Sequence, residues 1–251
     1  MGLSIRKAGT HEKESYVELH TGTSGYSYKE WKGSFYPEDL SNTDMLSYYG
    51  ERLGAVEINN TFYRLPKASV LENWAEQVPA SFLFSIKASR KITHFARLKE
   101  TAADPTEYLL STVKTLGPRL GVILFQLPPN CTKDVERLSA SRDTLGEGTP
   151  AAFEFRHDSW KDDDVHALLR ERGVALVCAD TEDSDGDEPV VETAGWGYLR
   201  LRRPDYSDDD LARWADHLRG TGWKRAMVFF KHEDEGAGPR MAMRFKEVFD
   251  G

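Results

Sequence analysis

Ala151-Ala152-Phe153-Glu154-Phe155-Arg156 is an apolar run of strand length. Residues 162–172 follow it, opening on Asp162-Asp163-Asp164 and reading as a helix that stops at Gly173. A second apolar run, residues 174–180, comes next. This strand–helix–strand unit recurs along the whole chain. Strand-like runs fall at residues 17–23, 55–60, 82–88, 120–127, 151–156, 174–180, 197–202 and 225–231. Helix-like segments fall between or after them, at 44–53, 68–77, 105–116, 133–142, 162–172, 208–219 and 239–249. Such alternation predicts a parallel sheet. Eight units in 251 residues predict an α/β protein of the TIM (β/α)8 barrel type. The connection 181–196 is acidic and holds Gly186 and Pro189, so the helix after strand six is expected to be weak or missing. A doubly wound open sheet is the competing architecture, but no glycine-rich phosphate fingerprint follows the first strand. Residues 1–16 read as a polar N-terminal extension and 17–251 as a single barrel domain.

Local signals support these boundaries. Ser41 to Asp44, Asp104 before Pro105, and Ser207 before Asp208 are expected helix starts. Gly54, Gly117, Gly173 and Gly220 are expected helix ends.

Composition narrows the function classes. Acidic residues outnumber basic ones 41 to 33, giving a net charge of −8, which argues against broad nonspecific nucleic-acid binding without excluding a locally basic cleft. The acidic runs at 162–164, 182–188 and 208–210 read as solvated loops and helix starts. The two cysteines, Cys131 and Cys178, are too few for a disulfide framework and lack metal-site spacing. No apolar run reaches membrane-helix length and no secretory signal is visible, so a cytoplasmic protein without membrane contact is expected.

Several words of sequence then stand out. They are Gly25-Tyr26-Ser27-Tyr28 with Trp31, Gly33 and Phe35-Tyr36-Pro37, then Glu57-Ile58-Asn59-Asn60-Thr61-Phe62-Tyr63 with Pro66 and Trp74. Phe84 to Lys87, Ile92-Thr93-His94 and Leu124-Phe125-Gln126-Leu127-Pro128-Pro129 follow. Glu154-Phe155-Arg156-His157 with Trp160, and Tyr198-Leu199-Arg200, complete the set. From about Leu19 onward the chain resembles the YecE-like family, domain of unknown function family 72. The resemblance implies a TIM barrel and supplies no reaction; similarity of the family's barrel to metal-dependent endonuclease barrels is an analogy of fold. The sequence departs from the family pattern at two strand ends. It reads Arg200-Leu201-Arg202-Arg203-Pro204 where Arg-Leu-His-Gly is usual, and Phe230-Lys231-His232-Glu233 where Phe-Asn-Asn is usual.

Side chains alternate along a strand, so the apolar face fixes which residues enter the barrel. With Phe153 and Phe155 outward, Glu154 and Arg156 point inward. The same phase turns Glu57, Asn59, Ser85, Lys87, Tyr198, Arg200 and Arg202 inward, and it is assigned also to Gln126, Asp180 and Lys231. Nearly all lie near the C-terminal ends of their strands, where TIM-barrel active sites are built. Lys87, Arg156, Arg200 and Lys231 outnumber Glu57, Glu154 and Asp180, so an anionic ligand is the expected partner. The bland alternative is a set of internal ion pairs, Glu154 with a neighbouring arginine for example.

Roles follow from chemistry. Glu57 or Glu154 would serve as general base, and His94 or His157 as proton donor. Lys87, Arg156 and Arg200 would hold charge, and Asn59, Gln126, Asp180, Lys231 and Tyr26 would line the substrate. Tyr26, Tyr28, Trp31, Phe35 and Tyr36 would either stack on a base or sugar or pack over the barrel. No cofactor is expected. A divalent metal at Glu57, Glu154, Asp180 and His157 would meet repulsion from the interleaved cations. Lys87 could act as a Schiff-base nucleophile if desolvation lowered its pKa, whereas ion pairing would keep it protonated. The leading expectation is an enzyme handling a phosphate-bearing or other anionic substrate by phosphoester hydrolysis or lyase chemistry. The alternative is a non-catalytic nucleic-acid or nucleotide-binding module.

Overall fold

The computed structural model describes residues 16–181, 189–231 and 234–251. Its eight strands are all parallel and follow one another around a closed barrel in chain order. They are β1 (Glu18–Ser24), β2 (Ala55–Ile58), β3 (Leu83–Lys87), β4 (Leu120–Gln126), β5 (Ala151–Glu154), β6 (Ala175–Asp180), β7 (Trp196–Leu201) and β8 (Arg225–Phe230). The last strand closes on the first, with Glu18 opposite Arg225 and Thr23 opposite Phe230. Among the described residues seven α-helices surround them: α1 (Met45–Gly50), α2 (Ala68–Glu76), α3 (Ala103–Val113), α4 (Val135–Leu145), α5 (Asp163–Glu171), α6 (Asp208–Arg219) and α7 (Ala237–Asp250). The barrel and every strand position therefore agree with the alternation in the sequence. β2 and β5 end two residues early, because Asn59-Asn60 and Phe155-Arg156 already turn into loops. Residues 189–195 after β6 form no helix; 182–188, and 1–15 of the N-terminal extension, lie outside the described residues.

Two apolar layers hold the barrel. Ala55, Leu83, Val122, Leu124, Ala152, Ala175, Val177, Tyr198, Met227 and Phe229 fill its interior. The alternate residues, among them Phe84, Ile123, Phe125, Phe153, Leu199 and Phe230, pack outward against the helices. The interior becomes polar only towards the C-terminal ends of the strands, so the charged residues occupy one end of an otherwise dry tube.

Capping follows the sequence in part. Ser207 and Asp210 form a reciprocal capping box on α6. Asp134 and Asp162 accept backbone N–H bonds at the starts of α4 and α5. The expected start at Asp104 is corrected: α3 begins at Ala103, after a tight turn over Glu100–Ala102. Pro105 is tolerated inside its first turn, where the backbone N–H would have no partner in any case. Asp44 precedes α1 without a side-chain cap. Gly173 has a left-handed φ of 61° after α5, as a helix-ending glycine should. Gly220 instead keeps right-handed helical geometry, with φ −77°.

Candidate functional site

Arg200 is the centre of the mouth. It leaves β7 pointing inward and is 2 % exposed. Its Nε and Nη2 donate to the two carboxylate oxygens of Glu57 at 2.9 and 2.8 Å, in the two-pronged geometry that guanidinium and carboxylate share. Its Nη1 donates to Glu154 Oε2 at 2.5 Å. One guanidinium thus bridges carboxylates from β2 and β5.

Each carboxylate is further saturated. Glu57 Oε1 accepts from Ser24 Oγ at 2.8 Å and Asn59 Nδ2 at 3.0 Å, and Oε2 accepts from the Tyr198 hydroxyl at 2.8 Å. Glu154 Oε1 accepts from Gln126 Nε2 at 2.6 Å and Arg156 Nε at 3.1 Å. Burial alone pushes both carboxyls up, but Arg200 and the ring of donors outweigh it. Glu57 is held below the usual carboxylate range and Glu154 at about 2. Burial pushes the Tyr198 phenol well up, as does the Glu57 charge it faces. Acids held this firmly ionised, with their lone pairs taken, are weak candidates for the general base expected of them. They also leave a metal ion few free oxygens. Among the described residues no group of three or more His, Cys, Asp or Glu could hold one.

A second set of charges lies above this floor. Arg156 is exposed at the rim, with 38 % of its side chain accessible. Lys87 and Arg202 are half-buried and face the same charged groups. Burial lowers the Lys87 amine to about 8, and Arg200 adds to that against the opposing pull of Glu57 and Glu154. The Lys87 Nζ lies 4.7 Å from the centre of the Phe62 ring. His94 meets the same ring edge-on at 4.7 Å, with Nδ1 2.9 Å from Thr93 Oγ1. Burial lowers the His94 pKa, and the positive charges of Lys87 and Arg156 lower it further.

Three residues expected at the mouth lie elsewhere. Asp180 faces out of the barrel: Ala175 and Val177 belong to the interior and Cys178 to the outer layer, so β6 has the opposite phase to the one expected. Its Oδ2 accepts from Arg203 Nε and the Tyr206 hydroxyl, both at 2.9 Å. His157 caps the turn Asp158–Trp160, its Nδ1 accepting from the Ser159 amide at 3.1 Å. Lys231, by contrast, keeps the inward phase of Met227 and Phe229 and is exposed just past β8. Tyr26 is half-buried against Tyr49, its phenol pushed up to about 12 by burial. The aromatics after β1 pack rather than present faces: Trp31 and Tyr36 are both 1 % exposed.

The sequence reading overlooked Ser24, Phe62 and the Arg203–Tyr206 pair. Ser24 shares the inward phase of β1 and was detectable by alternation; Arg203 and Tyr206 reach Asp180 only through tertiary folding.

The family described as "Protein of unknown function DUF72" matches residues 20–251. The chain belongs to that family. Its curated relatives include UPF0759 protein YunF of Bacillus subtilis, 25 % identical over 231 residues, or 86 % of this chain and 79 % of that protein. UPF0759 protein YecE of Escherichia coli K12 is 31 % identical over 153 residues, or 59 % of this chain and 56 % of that protein. A crystal structure of a DUF72 family protein from Thermotoga maritima superposes with a TM-score of 0.81 at 26 % identity, covering 93 % of this chain and 100 % of the other. One from Enterococcus faecalis gives 0.76 at 18 % identity, covering 93 % and 96 %, and supports the fold alone. The family carries no assigned reaction in its description. No helix among the described residues is long and apolar enough to cross a membrane.

Proposed function

We propose that the barrel mouth binds a phosphate-bearing or other anionic substrate, as an enzyme acting by phosphoester hydrolysis or lyase chemistry would. The charge count carries this reading. Glu57 and Glu154 are two negative charges; Arg200, Arg156 and Lys87 are three positive ones. Arg200 is spent on the floor, so the remaining surplus faces the rim. A surplus of fixed cations at one end of an acidic protein is compensated best by a ligand anion. Arg156 would grip it, Lys87 would add a point charge, and His94 would move a proton. In this reading Arg200, Glu57 and Glu154 position the rim rather than touch the substrate.

Titration with inorganic phosphate, read by calorimetry on the parent protein and on Arg156→Ala, tests the proposal. Saturable binding that weakens roughly tenfold to a hundredfold in the variant, as loss of one charge-assisted hydrogen bond predicts, supports it. No phosphate binding by the parent refutes it.

One observation favours the nucleic-acid alternative. Tyr63, Phe95 and Tyr108 are 67 %, 69 % and 56 % exposed and line a groove of about 810 Å³ beside the mouth, with Arg64 and Lys91. Such platforms stack bases of single strands. Salt-dependent binding of oligonucleotides without turnover, lost in Tyr63→Ala and Phe95→Ala together, would select that reading.

A further inference from the structure

We infer that Lys87 is a carbonyl-capturing nucleophile, condensing through its amine with the aldehyde or ketone carbon of an anionic substrate to form an imine. The inference rests on the anion-binding mouth proposed above and names its substrate class.

Lys87 stands apart by what it does not touch. It is the last residue of β3, inward-facing and half-buried, within reach of the fields of Glu57 and Glu154. Yet among the described residues it forms no ion pair, because Arg200 holds both carboxylates. Lys133 provides the contrast: its Nζ lies 2.7 Å from Asp162 Oδ2, which raises its pKa. Ion pairing is what would keep a buried lysine protonated and inert, and at Lys87 it is missing.

The surroundings push in one direction. The Phe62 ring on one side attracts an ammonium weakly but supplies no acceptor atom. Arg200 and Arg156 oppose a further positive charge. Only Glu57 and Glu154 favour one, and both are already neutralised. With the amine at about 8, roughly a tenth of it is neutral at pH 7, against fewer than one in a thousand for an ordinary lysine. A neutral primary amine beside cations that hold an anionic substituent is the arrangement imine formation requires.

The chemistry closes without a co-reactant. The Nζ lone pair forms a bond to the carbonyl carbon, and the C=O π pair moves to oxygen, which takes up a proton while nitrogen loses one. The carbinolamine hydroxyl then takes up a proton and leaves as water while the nitrogen lone pair forms the C=N bond, giving the protonated imine. His94, with its pKa depressed and its ring against Phe62, is placed to carry protons in both halves. The protonated imine then withdraws electrons from the neighbouring carbon, which is the driving force of carbon–carbon lyase reactions.

The test uses the whole protein with glyceraldehyde 3-phosphate or glyceraldehyde and sodium cyanoborohydride, which reduces an imine to a stable secondary amine. Adducts are mapped by peptide mass spectrometry. The expected result is one saturating adduct at Lys87, formed roughly a hundredfold faster than at exposed lysines, with a pH midpoint at about 8. Inorganic phosphate should compete, and glyceraldehyde should label Lys87 much more slowly than its 3-phosphate. Lys87→Arg should lose the adduct. Phosphate binding with no preferential labelling of Lys87 overturns the imine and leaves the anion site standing. Equal labelling by both aldehydes, with no phosphate binding, overturns the anionic substrate class and the anion site together.

Discussion

The floor and the rim of the mouth use the same residue types, and they differ in how fully the charged groups are hydrogen-bonded to one another. On the floor, Arg200 is shared between Glu57 and Glu154, and all three are nearly inaccessible to solvent. At the rim, Lys87 forms no ion pair among the described residues, and Arg156 only shares Glu154 with Arg200. A buried ionic set costs several kcal/mol per ion to desolvate and recovers it only through complete hydrogen bonding. On the reading proposed above, the floor serves folding and the rim serves binding.

The sharpest way to break this distinction is Arg200→Met. It strands two buried carboxylates, and removal of one partner from a buried pair costs about 3–5 kcal/mol. We expect a melting temperature lowered by many degrees, or no folded protein; a stable variant would place Arg200 among the ligand-binding groups instead. Acid acts on the same set more gently. The Glu154 carboxyl lies at about 2 when folded, against the ordinary 4.5, so its contribution is complete above about pH 4.5 and is lost as pH falls towards 2. That shift corresponds to about 3 kcal/mol, and Glu57 adds in the same direction. Denaturant melts between pH 6 and pH 2.5 should show the fall, and Glu154→Gln should flatten it.

At the rim the effects move from stability to affinity. Arg156→Ala leaves Glu154 with Arg200 and Gln126, and a pair this exposed contributes no more than about 1 kcal/mol to stability. Its melting temperature should change little while phosphate affinity falls. Lys87→Met should have the smallest effect on stability. A lysine whose pKa is lowered by folding disfavours the fold slightly while protonated, so the variant should melt at the same temperature or a little higher. A marked loss would assign Lys87 to the floor.

The barrel was legible because eight apolar runs spaced by capped helices leave little choice of architecture. The floor was legible in its members: Glu57, Glu154 and Arg200 follow from alternation on β2, β5 and β7, where bulky apolar residues mark the outer face. Their roles were not, because one arginine reaching across the barrel to two carboxylates is a property of closure that no local pattern records. β6 failed for a related reason. Its inward residues Ala175, Val177 and Ala179 are small and apolar, so a charged Asp180 at the strand end looked like the interior face. The acid is instead satisfied outside the barrel by Arg203 and Tyr206, which lie beyond the following strand.

The Arg200 bridge has a mechanical meaning as well. β2, β5 and β7 are nowhere neighbours around the barrel, so the links from Arg200 to Glu57 and Glu154 are chords across a ring. Backbone ladders join each strand only to the next and resist shear poorly when a ring is squeezed into an oval. Two chords meeting at one guanidinium brace the ring, and Ser24 and Gln126 tie β1 and β4 to the same struts. The spacing between the rim groups is thereby set by a stiff hoop beneath them, and a loop change above it alters what the mouth holds without altering its diameter.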